Sequence, residues 1–134
     1  MDNEVDLTEY AKNKLNEYKG FMFANNYEVV KVSNNYCELV GNITESSVNH
    51  LGVAHGGYIF GLADTAGGIA AMTDGRQVVT INSSIDYLKT VKGNKIKAVA
   101  KCLKNGKRVS FFEVLIYDEL DNLVAKSSIN YIYI

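Results

Sequence analysis

The chain has 134 residues, 47% hydrophobic and 22% charged, with 14 basic against 15 acidic side chains. That is enough for one domain with a sizeable core, and so even a balance creates no overall field drawing the protein to nucleic acid or a membrane surface. Two cysteines, Cys37 and Cys102, show neither metal-ligand spacing nor a dense disulfide framework, and are expected as reduced, partly buried thiols of a cytoplasmic protein.

The first residues carry Asp2, Glu4, Asp6 and Glu9 without an apolar core, unlike a secretory leader. Asp6 and Glu9 have the spacing of a capping box, and Leu7, Ala11, Leu15, Tyr18 and Met22 recur on one helical face. An amphipathic helix within 1–20, ended by Gly20, is predicted. Residues 27–33 and 36–44 read as strands joined by the turn pair Asn34-Asn35. A helix over 56–73 follows. Residues 77–88 then alternate, with Val79, Ile81, Ser83, Ile85 and Tyr87 assigned to one face. Residues 92–103 set Ile96, Ala98, Ala100 and Cys102 opposite Lys95, Lys97 and Lys101. Asn105-Gly106 marks a hairpin into a strand over 108–117, and a loop over 118–122 leads to a last strand over 123–134. Two strands, one central helix and a meander of three or four long strands make an α+β class, with a single domain over 1–134. A sheet of this size wrapped on one helix leaves an edge and a face for a partner. Nine tyrosines, with no tryptophan or proline, stand out without pointing to a function.

The unusual chemistry lies in the stretch 49–73. From Leu51 to Thr73 the only formally charged side chain is Asp64, among small and apolar residues. A helix apolar all round is normally buried, and a buried carboxylate costs several kcal/mol unless paired, protonated or used. As a membrane span the stretch fails, because Asp64 and several glycines interrupt it and about 20 apolar residues are required. Both histidines, His50 and His55, lie at its start without further ligands at metal-site spacing. Ser83-Ser84 lacks the setting of a serine hydrolase. Gly56 and Gly57 would expose backbone N–H groups at a helix N-terminus, where the dipole favours negative charge. Desolvation would make Asp64 a stronger base. Gly57 and Asp64 stand seven residues apart, about 10 Å along a helix. One small carbonyl group cannot easily touch both on the same helix, so a site using both would lie between two subunits.

The pattern Asn49-x-x-Gly52-x-x-His55-Gly56-Gly57 followed by Asp64 resembles the signature of the hotdog-fold acyl-CoA thioesterases. Within them it is similar to the phenylacetate-degradation, PaaI-like branch related to 4-hydroxybenzoyl-CoA thioesterase. The resemblance continues through 64–70, 84–89, the Gly93 region and Val124-Ala125. It implies a hotdog fold, a long antiparallel sheet wrapped around one central helix, and a homodimer or a dimer of dimers. It implies hydrolysis of an acyl-CoA thioester, of an arylacetyl or a medium- to long-chain acyl group, to acid and coenzyme A without a metal or other cofactor. By the same resemblance Asp64 would be general base or nucleophile, Gly56 or Gly57 the oxyanion donor, and Asn49 a holder of the carbonyl or the attacking water. His55 would orient the turn, and Thr80 would carry a water-positioning hydroxyl. Gly68 departs from one branch, which carries a threonine there and makes the 4-hydroxybenzoyl arrangement the poorer match; Thr90 departs from the proline of many relatives.

Eight of the fourteen basic residues fall between Lys89 and Arg108, without an acid among them. Lys95, Lys97 and Lys101 read as a solvated strand face, whereas Lys89, Lys104, Lys107 and Arg108 suit the phosphates of coenzyme A. A non-catalytic acyl-CoA sensor is the alternative from another class, since fold does not fix function; an acyl-carrier-protein thioesterase or a hotdog dehydratase is a further one.

Overall fold

The computed structural model describes residues 6–134. Asp2, Glu4 and the first residues of the helix expected within 1–20 lie outside them. Helix α1 (Leu7–Tyr18) starts where the Asp6 carboxylate accepts the Glu9 N–H at 3.1 Å, relieving one unpaired donor of the first turn. It ends at Lys19, whose left-handed backbone (φ 44°) lets its N–H close on the Leu15 carbonyl. The chain then turns at Gly20 into the short helix α2 (Phe21–Ala24), so Met22 lies on a separate element and not on the face of α1.

Strands β1 (Tyr27–Ser33) and β2 (Tyr36–Asn42) form the expected hairpin, with Ser33 opposite Tyr36 and Asn35 at φ 57°. A single 3-10 turn (Glu45–Ser47) and a loop lead to α3 (Gly56–Ala71). The remaining strands are β3 (Val78–Tyr87), β4 (Lys95–Asn105), β5 (Val109–Asp118) and β6 (Leu123–Tyr133). They build one six-stranded sheet in the order β1-β2-β4-β5-β6-β3, with every neighbouring pair antiparallel. The meander is therefore β4-β5-β6. Strand β3 is not its first member: after α3 the chain crosses to the far edge and β3 pairs with β6 alone.

Helix α3 packs on one face of this sheet. Its Leu62, Ala63, Ala66 and Ala70 pack among Leu39, Ala98, Val114 and Ile129, all fully buried. The inward residues of β4 are those the alternation predicts, Ile96, Ala98 and Ala100. Burial pushes the Cys37 thiol well above its ordinary value; it is more deeply buried than expected, whereas Cys102 is half-buried, and both are free. No helix among the described residues is long and apolar enough to cross a membrane.

Tyrosines fasten the helix to the sheet. Tyr87 donates to the Gly56 carbonyl at 2.7 Å, Tyr27 to Tyr58 at 2.6 Å, Tyr131 to Asp64 at 2.8 Å and Tyr133 to Ala71 at 3.1 Å. A buried phenol carries a large apolar body yet must place its hydroxyl on a partner. Small residues on α3 let it approach. A Cβ on Gly61 would meet the Tyr27 hydroxyl, and one on Gly67 would overlap the Tyr131 hydroxyl. Alanine at position 67 gains about 1 kcal/mol of helix propensity but forces apart a packed, hydrogen-bonded contact. Gly67→Ala is expected to lower unfolding free energy by about 1–3 kcal/mol in urea denaturation, the usual cost of overpacking; an increase would show that the phenol yields freely.

Candidate active site

The loop before α3 is tied down by Asn49. Its N–H bonds the Val53 carbonyl at 2.9 Å, while its Oδ1 accepts the N–H of Leu51 at 2.9 Å and of Val53 at 3.4 Å. Gly52, at φ 77°, makes the reversal. These bonds commit the Asn49 carbonyl oxygen to the loop, so the donor it retains for another molecule is its amide NH2. His50 is exposed.

His55 is the N-cap of α3. Its Nδ1 accepts the Gly57 N–H at 2.8 Å, and its carbonyl accepts from Tyr58 and Ile59. That tautomer puts the ring proton on Nε2. The Gly57 N–H is thereby spent, which separates two glycines that the sequence left equivalent. Among the described residues the Gly56 N–H has no hydrogen-bond partner, and Gly56 lines a cleft of ≈ 360 Å³ with Ile59, Tyr87, Leu88 and Lys89. A helix N-terminus, a free N–H and a lysine therefore share one opening.

Asp64 is half-buried, not enclosed as an acid in an all-apolar helix would be. The reason is that α3 keeps one partly open face, formed by Gly57, Phe60, Asp64 and Gly68. The carboxylate is nonetheless held. Thr80 Oγ1 donates to Asp64 Oδ1 at 2.8 Å, and the Tyr131 hydroxyl, which already bonds the Asp64 carbonyl, lies 3.3 Å from the same oxygen. Burial first, and then the Asp64 charge, push the Tyr131 phenol far above its ordinary value, which makes it a permanent donor. Oδ2 makes no hydrogen bond among the described residues and is left for another molecule.

The sheet register explains why Thr80 arrives. Thr80 pairs directly with Tyr131 across β3 and β6, and a bulge between Thr80 and Asn82 then shifts the phase. Ser83, Ile85 and Tyr87 pair with the inward residues Ile129, Ser127 and Ala125, as the alternation predicts. Val79 and Ile81, expected on that same face, point outward instead and are each 48% exposed. The extra residue switches the strand's sides, a common device beside active sites.

The basic candidates divide. Lys89 lies at the Gly56 cleft. Lys104 near the end of β4, and Lys107 and Arg108 in the β4–β5 turn, lie at the opposite end of α3, some 24 Å away for a helix of 16 residues. There Arg76 donates to the carbonyls of Gly106 and Lys107 and to Asn105, pairs with Asp74 at 2.7 Å and stacks on Tyr133. One chain does not bring all four cations to one place. Among the described residues no group of three or more His, Cys, Asp or Glu side chains is placed to hold a metal.

Two residues of this constellation escaped the sequence reading, Tyr131 and Tyr87. The available signal was a tyrosine in phase with the inward set Ala125, Ser127 and Ile129, a polar tip aimed at the core.

A family model described as Thioesterase superfamily matches residues 51–125. A putative esterase of Saccharolobus solfataricus, SSO1253, is 31% identical over 105 residues, covering 75% of this chain and 68% of that protein. The acyl-coenzyme A thioesterase PaaI of Escherichia coli is 25% identical over 99 residues, 73% of this chain and 71% of its own. The solved structure of that PaaI superposes with a TM-score of 0.89 over 98% of this chain and 96% of its own; at 20% identity in that superposition it speaks for the fold alone. A hypothetical thioesterase from Streptococcus pneumoniae TIGR4, solved with coenzyme A, superposes with a TM-score of 0.82 at 27% identity, over 90% and 96% of the two chains.

Tyr131→Phe keeps the ring and removes the bonds to Asp64. It is expected to cost about 1–3 kcal/mol in urea denaturation, since a half-buried carboxylate loses its buried donor. Stability equal to that of the parent protein would show that Thr80 alone suffices.

Proposed function

Because the chain belongs to the thioesterase superfamily, we propose that it hydrolyses acyl-CoA thioesters to the free acid and coenzyme A, with Asp64 as general base. The carrying observation is the hydrogen-bonded setting of Asp64, with Oδ1 fixed by Thr80 and Tyr131 and Oδ2 unoccupied by protein donors. A water bound at Oδ2 loses its proton to the carboxylate as its oxygen attacks the thioester carbonyl carbon. Thr80 then acts through Asp64, keeping the carboxylate in place. The carbonyl oxygen, gaining negative charge, is received by the Gly56 N–H and the positive end of α3, with the Asn49 amide NH2 as a second donor. The tetrahedral intermediate collapses by breaking the C–S bond, the thiolate of coenzyme A departs, and the proton held on Asp64 passes to that thiolate or to water, restoring the carboxylate. His55 positions this oxyanion site by capping α3; it takes no proton from the substrate. No step calls for a metal or another cofactor.

Gly56 and Asp64 stand eight residues apart on one helix, about 12 Å at 1.5 Å per residue. A single thioester reaches both only if they come from different chains, so we propose a homodimer with two shared sites. Strand β3 supports this reading, being an open edge that carries exposed Val79, Ile81 and Leu88 just beyond it. A two-fold axis at this edge sets the two α3 helices antiparallel. The Lys104, Lys107 and Arg108 turn of one subunit then lies toward the Gly56 and Lys89 end of the other, where it meets the phosphates of coenzyme A.

Asp64→Asn is expected to lower kcat by about 10²–10⁴ in a thiol-release assay across acyl- and aryl-CoA esters, the usual contribution of a general base. Activity within threefold of the parent enzyme would overturn the assignment. Ile81→Glu places charge on the open edge, and is expected to convert a dimer into a monomer in sedimentation velocity with at least tenfold loss of hydrolysis. A fully active monomer would refute the shared site.

A further inference from the structure

Arg76 stands at the β4–β5 turn beside the cations assigned to the coenzyme A phosphates, yet it has no donor left to give one. All the N–H groups of its guanidinium are committed. Nε and one Nη2 hydrogen go to Asp74 Oδ2 at 2.9 and 2.7 Å, and the other Nη2 hydrogen goes to Asn105 Oδ1 at 2.9 Å. Nη1 serves the carbonyls of Gly106 and Lys107 at 3.2 and 3.0 Å. The Tyr133 ring covers the guanidinium, its centroid 3.5 Å from Cζ. We infer that Arg76 is a positioning residue for acyl-CoA binding. It turns the carbonyls of the β4–β5 turn inward and leaves the backbone N–H groups of Lys107 and Arg108 facing outward as phosphate donors. This rests on the thioesterase reading above and on its assignment of the turn to phosphates.

A planar trans peptide sets its N–H opposite to its own C=O. Arg76 holds the Gly106 and Lys107 carbonyls, so the N–H groups of Lys107 and Arg108, which belong to those same two peptides, face away from it. Neither has a hydrogen-bond partner among the described residues. The next carbonyl, of Arg108, accepts the Tyr133 N–H at 2.8 Å, so three successive carbonyls are withdrawn from the outer side. A carbonyl turned outward would repel a phosphate, whereas bare backbone N–H groups attract one. Lys107 and Arg108 are exposed and make no ion pair among the described residues, so their charges add to these donors. The support is itself anchored. Asn105 accepts the Tyr133 hydroxyl at 2.8 Å and donates to Asn35 at 3.2 Å, which ties the turn to the β1–β2 hairpin. Lysine cannot replace this guanidinium, because a point charge with three donors lacks the planar fork that reaches a carboxylate, an amide and two carbonyls together.

The test compares the parent protein with Arg76→Lys and with the double variant Lys107→Gln/Arg108→Gln. Each is assayed on an acyl-CoA ester and on the S-acyl pantetheine of the same acyl group, which carries no phosphate. Arg76→Lys keeps the positive charge, and is expected to raise KM for the coenzyme A ester about tenfold, the usual worth of one hydrogen bond to a charged group. Its kcat should stay within about twofold, and its KM for the pantetheine ester should not move. A loss of equal size on both esters, the mark of a merely structural role, overturns the inference. An unchanged KM in Arg76→Lys overturns it too; a loss confined to the double variant then leaves the turn's assignment to phosphates standing without Arg76. NMR titration of the parent protein with coenzyme A needs neither turnover nor a variant. The backbone N–H signals of Lys107 and Arg108 should move downfield at saturation, while the Arg76 Nε–H signal holds its place. Unmoved amides at these two residues, or a shifted Arg76 Nε–H, overturn the inference even if no ester is hydrolysed, an outcome that by itself would refute the proposed function.

Discussion

Four phenolic hydroxyls that donate to the backbone of α3 hold this molecule's geometry together. Tyr27 comes from β1 at one edge of the sheet, Tyr87 from β3 at the other, and Tyr131 and Tyr133 from β6 beside it. Apolar packing alone is non-directional and would let a helix of small residues slide or roll on its sheet. Hydrogen bonds reaching the helix from both edges restrict those freedoms, most firmly at Tyr27 and Tyr131, which are buried and must keep their acceptors. The glycines of α3 belong to the same arrangement, since Gly61 and Gly67 leave room where Tyr27 and Tyr131 come closest. With its rotation fixed, α3 presents Asp64 to the β3–β6 edge and the Gly56 N–H to the cleft beside Lys89.

The bulge in β3 couples the site to the surface. It lets Thr80 face inward beside Tyr131 and sends Val79 and Ile81 outward. One irregular residue thus completes the clamp on the carboxylate and leaves apolar side chains on the strand whose outer edge is open. An edge strand of this kind is a liability in an isolated chain and an asset in one that pairs with its own copy. Within a single chain Asp64 has an open side, which the proposed pairing closes.

Local order was readable along much of the chain. The Asp6 cap, the Asn34-Asn35 hairpin, the inward set of β4 and the start of α3 follow from side-chain chemistry within a few residues. The resemblance around Asn49, His55, the glycine pair and Asp64 points to the right family. What escaped shares a physical character. The break after Lys19 rests on one left-handed residue, which moved Met22 onto α2. The inequivalence of Gly56 and Gly57 comes from the rotamer of His55.

Sequence by itself therefore determined the element types and the α+β class, because periodicity, capping and spacing are properties of neighbouring residues, and its resemblance around Asp64 pointed to the family. Only the tertiary structure decided that β3 lies beside β6, that Thr80 and Tyr131 meet on Asp64, and that the cations gather at opposite ends of α3. Those outcomes depend on pairings between residues tens of positions apart, such as Thr80 with Tyr131. The energy of such a contact depends on which strand becomes the neighbour, and no local pattern carries that choice.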